Sequence, residues 1–228
     1  MENTNTFKVQ STSSNLISLN VTPGHYATSS SHINYYIDMT SLKSRRSEAH
    51  AAAKVLATRY AATTIIDTIV CLDGTNVIGA YLADELLNTG ILSANLHNTA
   101  YIISPEQHSG GQLIFRENYL SMIKGKHVLV LLATATTGKT LQTALECIEY
   151  YGGEVVGVSS IFSAADEIHD EQINTIFRTE DIPNYETHSA TNPNFNIRPV
   201  RPLPPASLMR SSHTCPGLLS ESCHGYSN

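Results

Sequence analysis

The sequence predicts an α/β protein with a mainly parallel central sheet flanked by helices and a small N-terminal β-rich hood. In the middle of the chain, apolar strands alternate with helix-like segments, which is the order of βαβ units. These strands scarcely alternate apolar with polar residues, as expected for strands buried on both faces. The chain has 228 residues, of which 41% are apolar and 15% charged. This composition provides a sizeable core for one domain.

The hood is predicted over residues 1–41, where the short β-rich pieces FKVQ, NLISLNV and INYYIDM are separated by Ser, Gly and Pro. The core is predicted over residues 42–182 and begins with a helix-like stretch rich in alanine. It continues with the strand DTIVCL, the helix TNVIGAYLADELLN, the strand HVLVLLA, the helix KTLQTALECIEYY and the strand EVVGVSSIF. Residues 183–228 are rich in proline and lack periodicity, which predicts an irregular, disordered tail.

Charge and cysteine content exclude several classes of protein. The formal net charge is −6 and the pI is near 5.9, so there is no basic excess for binding nucleic acid. No apolar run has the length of a membrane span, and the polar N-terminus does not resemble a secretory signal. The four cysteines are far apart, which argues against a disulfide framework. We therefore expect a cytoplasmic protein.

The strongest chemical signal is the segment VLVLLATATTGKT, residues 128–140. A buried strand runs into a loop of small and hydroxyl residues, and a helix begins near Lys139. Such a turn directs backbone N–H groups and the positive end of the helix at one point, which suits a phosphate. The glycine allows the backbone to come close to the ligand. The predicted phosphate-binding residues are Thr134, Ala135, Thr136, Thr137, Gly138, Lys139 and Thr140.

Two families use such a segment. One is the P-loop NTPases, whose G-x-x-x-x-G-K-[ST] pattern is approached by Ala133 followed by Gly138-Lys139-Thr140. However, no later strand ends in the aspartate that would hold Mg²⁺. The other is the type I phosphoribosyltransferases, whose signature is an apolar strand, two acids, two small or apolar residues and then T-T-G-G-T or similar. Residues 128–131 resemble that strand, and residues 136–140 resemble the phosphate loop. Both alternatives remain open at this point.

Three further segments resemble the orotate phosphoribosyltransferases. GHYATSSSHINYYID (24–38) resembles their N-terminal hood, and IVCLDGTNVIGAYLADEL (69–86) resembles their pyrophosphate loop and the helix after it. EQHSGGQL (106–113) resembles their mobile catalytic loop. The segments occur in the family's order, and the resemblance covers roughly residues 20–165.

The resemblance implies transfer of a 5-phosphoribosyl group from phosphoribosyl pyrophosphate to a nucleobase, with Mg²⁺ on the pyrophosphate and a homodimer as the assembly. It implies that residues 134–140 hold the 5′-phosphate and that His108 is catalytic. It assigns pyrophosphate binding to Asp73, Gly74 and Thr75, and base binding to Tyr35 and Tyr36. Because successive residues of a strand point to opposite faces, we expect at most one of the two tyrosines to meet a base.

Two departures from the family pattern predict weakened chemistry. The acid pair expected before the phosphate loop is replaced by Leu132 and Ala133, and the lysine of the mobile loop is replaced by Glu106 or Gln107. In the family, those acids meet the ribose hydroxyls and help to stabilise a cationic transition state. A non-catalytic nucleotide-binding or regulatory protein on the same fold is therefore an alternative, beside the P-loop NTPase.

Overall fold

The computed structural model describes residues 6–27, 31–88, 95, 99–108, 111–189 and 201–202, and it confirms the α/β fold. The helices are α1 (Thr40–Ser44), α2 (Arg46–Ala57), α3 (Asn76–Asn88) and α4 (Lys139–Tyr150). The strands are β1 (Phe7–Gln10), β2 (Ser18–Ala27), β3 (Ser31–Asp38), β4 (Thr68–Cys71), β5 (Tyr101–Ile103), β6 (Glu106–Gln107), β7 (Leu113–Ile114), β8 (His127–Ala135), β9 (Glu154–Ser163), β10 (Glu167–Ile168), β11 (Glu171–Arg178), β12 (Thr187–Ser189) and β13 (Arg201–Pro202).

The core is a six-stranded sheet in the order β10-β11-β9-β8-β4-β5. The pairs β4–β5, β4–β8, β8–β9 and β9–β11 are parallel, and the short β10 forms an antiparallel hairpin with β11. The register pairs Cys71 with Leu131, so β4 and β8 reach the same edge of the sheet with their carboxyl ends. Loops that follow these strands therefore meet at that edge.

Strand β8 lies at the centre and is buried on both faces, as its unbroken apolar run predicts. Leu129 and Leu131 pack into one cluster with α2 and α3, whereas Val130 and Leu132 pack into another with α4. Each such buried aliphatic side chain contributes about 1.5–3 kcal/mol relative to an exposed one. This rigid two-sided packing holds the loop after β8 in place.

The hood is a second, mainly antiparallel sheet in the order β1-β2-β3-β12, with β13 parallel to β2. Strand β12 comes from residues 183–228, for which the sequence predicts an irregular tail. It pairs with β3, and the Asn34 side chain bonds both the Asn184 carbonyl (2.6 Å) and the Glu186 amide (2.9 Å). A three-residue strand is too short to show periodicity, but it satisfies the backbone groups at the edge of β3. Among the described residues, no helix has the length and apolar character needed to cross a membrane.

Candidate functional site

A cavity of about 150 Å³ opens where β4 and β8 end. Polar groups dominate its wall. The residues that line it are Asp73, Leu132, Thr134, Ala135, Thr136, Thr137, Gly138, Lys139, Thr140 and Leu141. All seven residues predicted to bind phosphate are thus brought together around one small space.

The floor of the cavity is the N-terminus of α4. Gly138 is the N-cap residue with φ of +75°, and within the described residues no side chain caps the helix. The first-turn N–H groups of Lys139, Thr140 and Leu141 have no acceptor within the helix. Together with the helix dipole, they make this end of α4 a binding position for an anion.

The wall before the helix is still strand. Thr134 and Ala135 pair with Phe162 and Ser163 of β9, so the loop proper is only 136–138. A P-loop needs the residues after its first glycine to wrap around phosphate, but here Ala133 and the two residues after it are held in the sheet. This geometry weighs against the P-loop NTPase alternative.

Gly138 is also crowded from outside the cavity. A Cβ on this residue would collide with the side chain of Ile168 and would lie 3.2 Å from Nε2 of His169. Both belong to the hairpin of β10 and β11, which packs over the phosphate loop. The hairpin therefore fixes the position of the helix N-terminus, a contact that the sequence does not reveal.

Of the predicted pyrophosphate-binding residues, Asp73 is the one that lines the cavity. Thr75 is fully buried, its amide donates to the Leu72 carbonyl (3.1 Å), and its hydroxyl lies 2.8 Å from that oxygen and 3.1 Å from the Leu131 carbonyl. Thr75 thus stabilises the turn from the inside and begins α3. Asp73 (φ +54°) and Gly74 (φ +76°) both adopt the left-handed conformation that makes this turn.

The Asp73 side chain crosses to β8. Its carboxylate accepts the backbone N–H groups of Ala133 and Thr134. Desolvation by the surrounding protein raises the pKa of this carboxyl, although both amides and the nearby Lys43 ammonium act to lower it. The same ammonium donates to the Asp73 carbonyl (2.9 Å), which links α1 to the loop. Sequence reasoning missed Lys43, because a basic residue near a helix start is usually solvated and this partner lies 30 residues away.

The two hood tyrosines point in different directions, as expected for neighbours in a strand. Tyr35 packs edge-to-face on Phe7, with ring centroids 6.0 Å apart, and contributes to the core. Tyr36 lies beside Tyr26, with centroids 5.7 Å apart, and partial burial, followed by the Asp38 charge, raises its pKa. Neither lines the cavity, and Tyr36 is the one that is not committed to the core.

His108 lies on the turn between β6 and β7, outside the cavity wall. It is exposed, its amide donates to the Gln112 carbonyl (2.9 Å), and its carbonyl accepts the Gly111 amide (3.1 Å). The next two residues of the loop, Ser109 and Gly110, are outside the described residues. Glu106, one of the two residues that stand where the loop lysine is expected, forms an ion pair with Arg116, so its negative charge is compensated.

Leu132 and Ala133, at the positions of the expected acid pair, are buried, with 1% and 5% exposure. Their side chains belong to the two separate core clusters on opposite faces of β8. The end of β8 therefore carries no acidic side chain of its own, and the carboxylate on the cavity wall is that of Asp73, in the loop after β4.

Comparisons with known proteins agree with this architecture, although no family model matches the chain. It is 29% identical over 133 residues to the orotate phosphoribosyltransferases of Mycobacterium tuberculosis and Mycobacterium bovis, covering 58% of this chain and 68% of theirs. Among solved structures, UMP synthase of Leishmania donovani superposes with a TM-score of 0.51 at 16% identity, covering 70% of this chain and 34% of that one. Orotate phosphoribosyltransferase of M. tuberculosis gives a TM-score of 0.49 at 17% identity, covering 72% and 91%.

Proposed function

For this orotate phosphoribosyltransferase-like chain, which has the type I phosphoribosyltransferase fold, we propose transfer of a 5-phosphoribosyl group from phosphoribosyl pyrophosphate to a nucleobase. In this reaction a base nitrogen forms a bond to C1 of the ribose while the bond from C1 to the pyrophosphate oxygen breaks. The proposed acceptor is orotate, by similarity to the curated relatives, which places the reaction in pyrimidine nucleotide synthesis. The proposed assembly is a homodimer.

The observation that carries the proposal is the cavity in front of the uncapped N-terminus of α4. The first-turn amides and the helix dipole would hold the 5′-phosphate there, and the hydroxyls of Thr136 and Thr137 would add donors. The fixed phosphate would then orient the ribose toward the ends of β4 and β8. Orientation of two substrates is itself a large part of such catalysis.

Mg²⁺ would arrive with the pyrophosphate. The side-chain donors on the cavity wall include a carboxylate and several hydroxyls, which are the oxygen ligands that Mg²⁺ prefers. Within the described ranges, no group of three or more His, Cys, Asp or Glu could hold a metal. The substrate's own phosphate oxygens would therefore supply most of the ligands, as is usual for this ion. When bound, the ion would neutralise charge on the departing pyrophosphate.

The proposed rate is low for this class of enzyme. Two buried apolar side chains, Leu132 and Ala133, stand where acids would stabilise positive charge on the ribose. One lost electrostatic contact of this kind raises a barrier by about 3–4 kcal/mol, or about a hundredfold to a thousandfold in rate. The same observation favours a second candidate function, a non-catalytic protein that binds phosphoribosyl ligands. For the transferase, we also propose that Tyr36 contacts the base and that His108 has a catalytic role.

The test is formation of orotidine monophosphate by the purified chain with Mg²⁺, phosphoribosyl pyrophosphate and orotate. Uracil and adenine serve as competing acceptors, and His108→Ala is assayed beside the wild type. Slow product formation with orotate supports the transferase. Binding of phosphoribosyl pyrophosphate without product from any base would instead establish the binding protein. Absence of both binding and turnover would refute the assignment.

A further inference from the structure

The carboxylate of Asp73 is a negative group in the wall of a cavity built for an anion. It is the one acidic side chain among the residues that line this cavity. The N–H groups of Ala133 and Thr134 act on it as hydrogen-bond donors. A carboxylate can accept about four hydrogen bonds, so two amides leave capacity for a further donor. Asp73 is exposed as a residue, and it lines the cavity in which a ligand would lie.

The charge of Asp73 selects what it can bind. A phosphate would be repelled by the carboxylate and drawn to the amides at the start of α4. A hydroxyl group, in contrast, is a neutral donor that a carboxylate accepts well. The Ala133 and Thr134 amides belong to β8, before the phosphate loop. The carboxylate therefore lies on the side of the cavity formed by β8, and the N-terminus of α4 forms the other side. A ligand with phosphate at one end and hydroxyls at the other matches this division.

Hydrogen bonds to neighbouring elements hold the backbone around Asp73 in position. The Leu72 amide donates to the Leu131 carbonyl (2.8 Å), and the Lys43 ammonium holds the Asp73 carbonyl (2.9 Å). The residue itself has φ of +54°, which costs a non-glycine residue about 1–2 kcal/mol. Conformations of this kind persist where the surrounding structure enforces them, and they cluster at functional sites.

We propose that the Asp73 carboxylate accepts hydrogen bonds from the ribose hydroxyls of a ligand whose 5′-phosphate lies at the N-terminus of α4. This inference rests on the proposed function and adds a specific residue to it. The carboxylate comes from the loop after β4 and lies beside the end of β8, where the side chains of Leu132 and Ala133 are buried. It places a negative charge next to the sugar on which positive charge develops during transfer.

The experiment compares two probes without Mg²⁺, ribose 5-phosphate and inorganic phosphate, by calorimetry. Asp73→Asn removes the charge but retains the left-handed backbone, which asparagine tolerates. We expect Asp73→Asn to bind ribose 5-phosphate about tenfold to a hundredfold more weakly. It should bind inorganic phosphate at least as tightly as the wild type does, because the charge that repels the anion is gone. The matched control is Asp84→Asn on the exposed face of α3, which should change neither affinity.

Thermal unfolding separates this role from a structural one. A carboxyl whose pKa is raised in the folded chain holds its proton more tightly there than in the unfolded chain, so ionisation lowers stability as the pH rises through that interval. Thermal unfolding at pH 7 also shows whether Asp73→Asn is folded under the conditions of the calorimetry. Equal weakening of both probes would overturn the inference.

Unchanged binding of ribose 5-phosphate by Asp73→Asn would also overturn it. Turnover by the wild type is assayed separately. A wild type that binds ribose 5-phosphate but makes no nucleotide refutes the transferase while the Asp73 contact stands. A wild type that binds neither probe refutes both.

Discussion

Gly138 provides a quantitative test of the phosphate loop. With φ of +75°, an alanine there pays about 1–2 kcal/mol for the backbone conformation. Its Cβ would also collide with Ile168, and overpacking of this kind costs about 1–3 kcal/mol. The expected loss in the free energy of unfolding for Gly138→Ala is therefore about 2–5 kcal/mol, or about 4–20 °C in melting temperature.

The same helix offers a matched control at its other end. Gly152 has φ of +78°, but the nearest atom to a Cβ there is a Lys124 side-chain carbon at an ordinary 3.6 Å. Gly152→Ala should lower the free energy of unfolding only through the strained backbone conformation, by about 1–2 kcal/mol. Only Gly138→Ala should also lose inorganic phosphate binding, because the N-terminus of α4 must shift to relieve the collision.

Urea unfolding measures the stabilities and calorimetry the phosphate affinity. The double variant Gly138→Ala/Ile168→Ala removes the colliding methyl group, so it should recover part of the stability lost in the single variant. Equal losses for Gly138→Ala and Gly152→Ala would refute the packing argument. Unchanged phosphate affinity in a folded Gly138→Ala protein would refute the assignment of this loop as the phosphate cradle.

Three other outcomes are expected. Burial acts to raise the pKa of Asp67, but hydrogen bonds from the His127 backbone (2.9 Å) and imidazole (2.8 Å), with nearby positive charge, outweigh it and hold the pKa below its usual value. Asp67→Asn should therefore lower the free energy of unfolding by about 1–2 kcal/mol at pH 7. This difference from the wild type should disappear as the pH falls below about 4, because the carboxylate is then protonated. A difference that stays constant with pH would contradict this reasoning. Burial raises the pKa of Cys71 to about 12 and that of Cys147 to about 11, so both thiols stay protonated and unreactive in the folded protein at pH 8. The test uses a variant in which the other two cysteines are changed to serine. This variant should react with dithionitrobenzoate at pH 8 only after guanidinium is added. A chain ending at Asn184 lacks β12 and should melt several degrees lower than one ending at residue 202, contrary to what the irregular sequence of this segment predicts; equal melting temperatures would show that β12 contributes nothing to stability.

The parts of the fold that the sequence predicts are those with strong local signals. The central strand β8 and helix α4 follow from an unbroken apolar run, a glycine and a helical period, and the phosphate cavity forms between them. The hood is predicted from three β-rich pieces, although its fourth strand is not. In each of these cases the signal lies within about fifteen residues of the element it predicts.

The details that escaped prediction depend on contacts between distant segments. The Asp73 carboxylate finds the amides of β8 about 60 residues further along, and no spacing rule links the two. Thr75 has the residue type of a phosphate ligand, yet the turn directs its hydroxyl inward to backbone carbonyls. Tyr35 packs against Phe7 of another strand instead of facing a ligand. Tertiary packing decides which of several chemically suitable side chains face a ligand.

The hood sheet joins the N-terminal strands β1–β3 to the much later strands β12 and β13, and this has a consequence for folding during synthesis. Asn34 of β3 bonds Asn184 and Glu186, which follow it by 150 and 152 residues. At about 5–20 residues per second, the outer edge of β3 stays unpaired for about 8–30 s after it leaves the ribosome. Contacts between β4, β8 and β9 become available earlier, so the α/β core is expected to form first and the hood to close last. During that interval the edge of β3 is open to pairing with another molecule, which is a route to aggregation of the nascent chain.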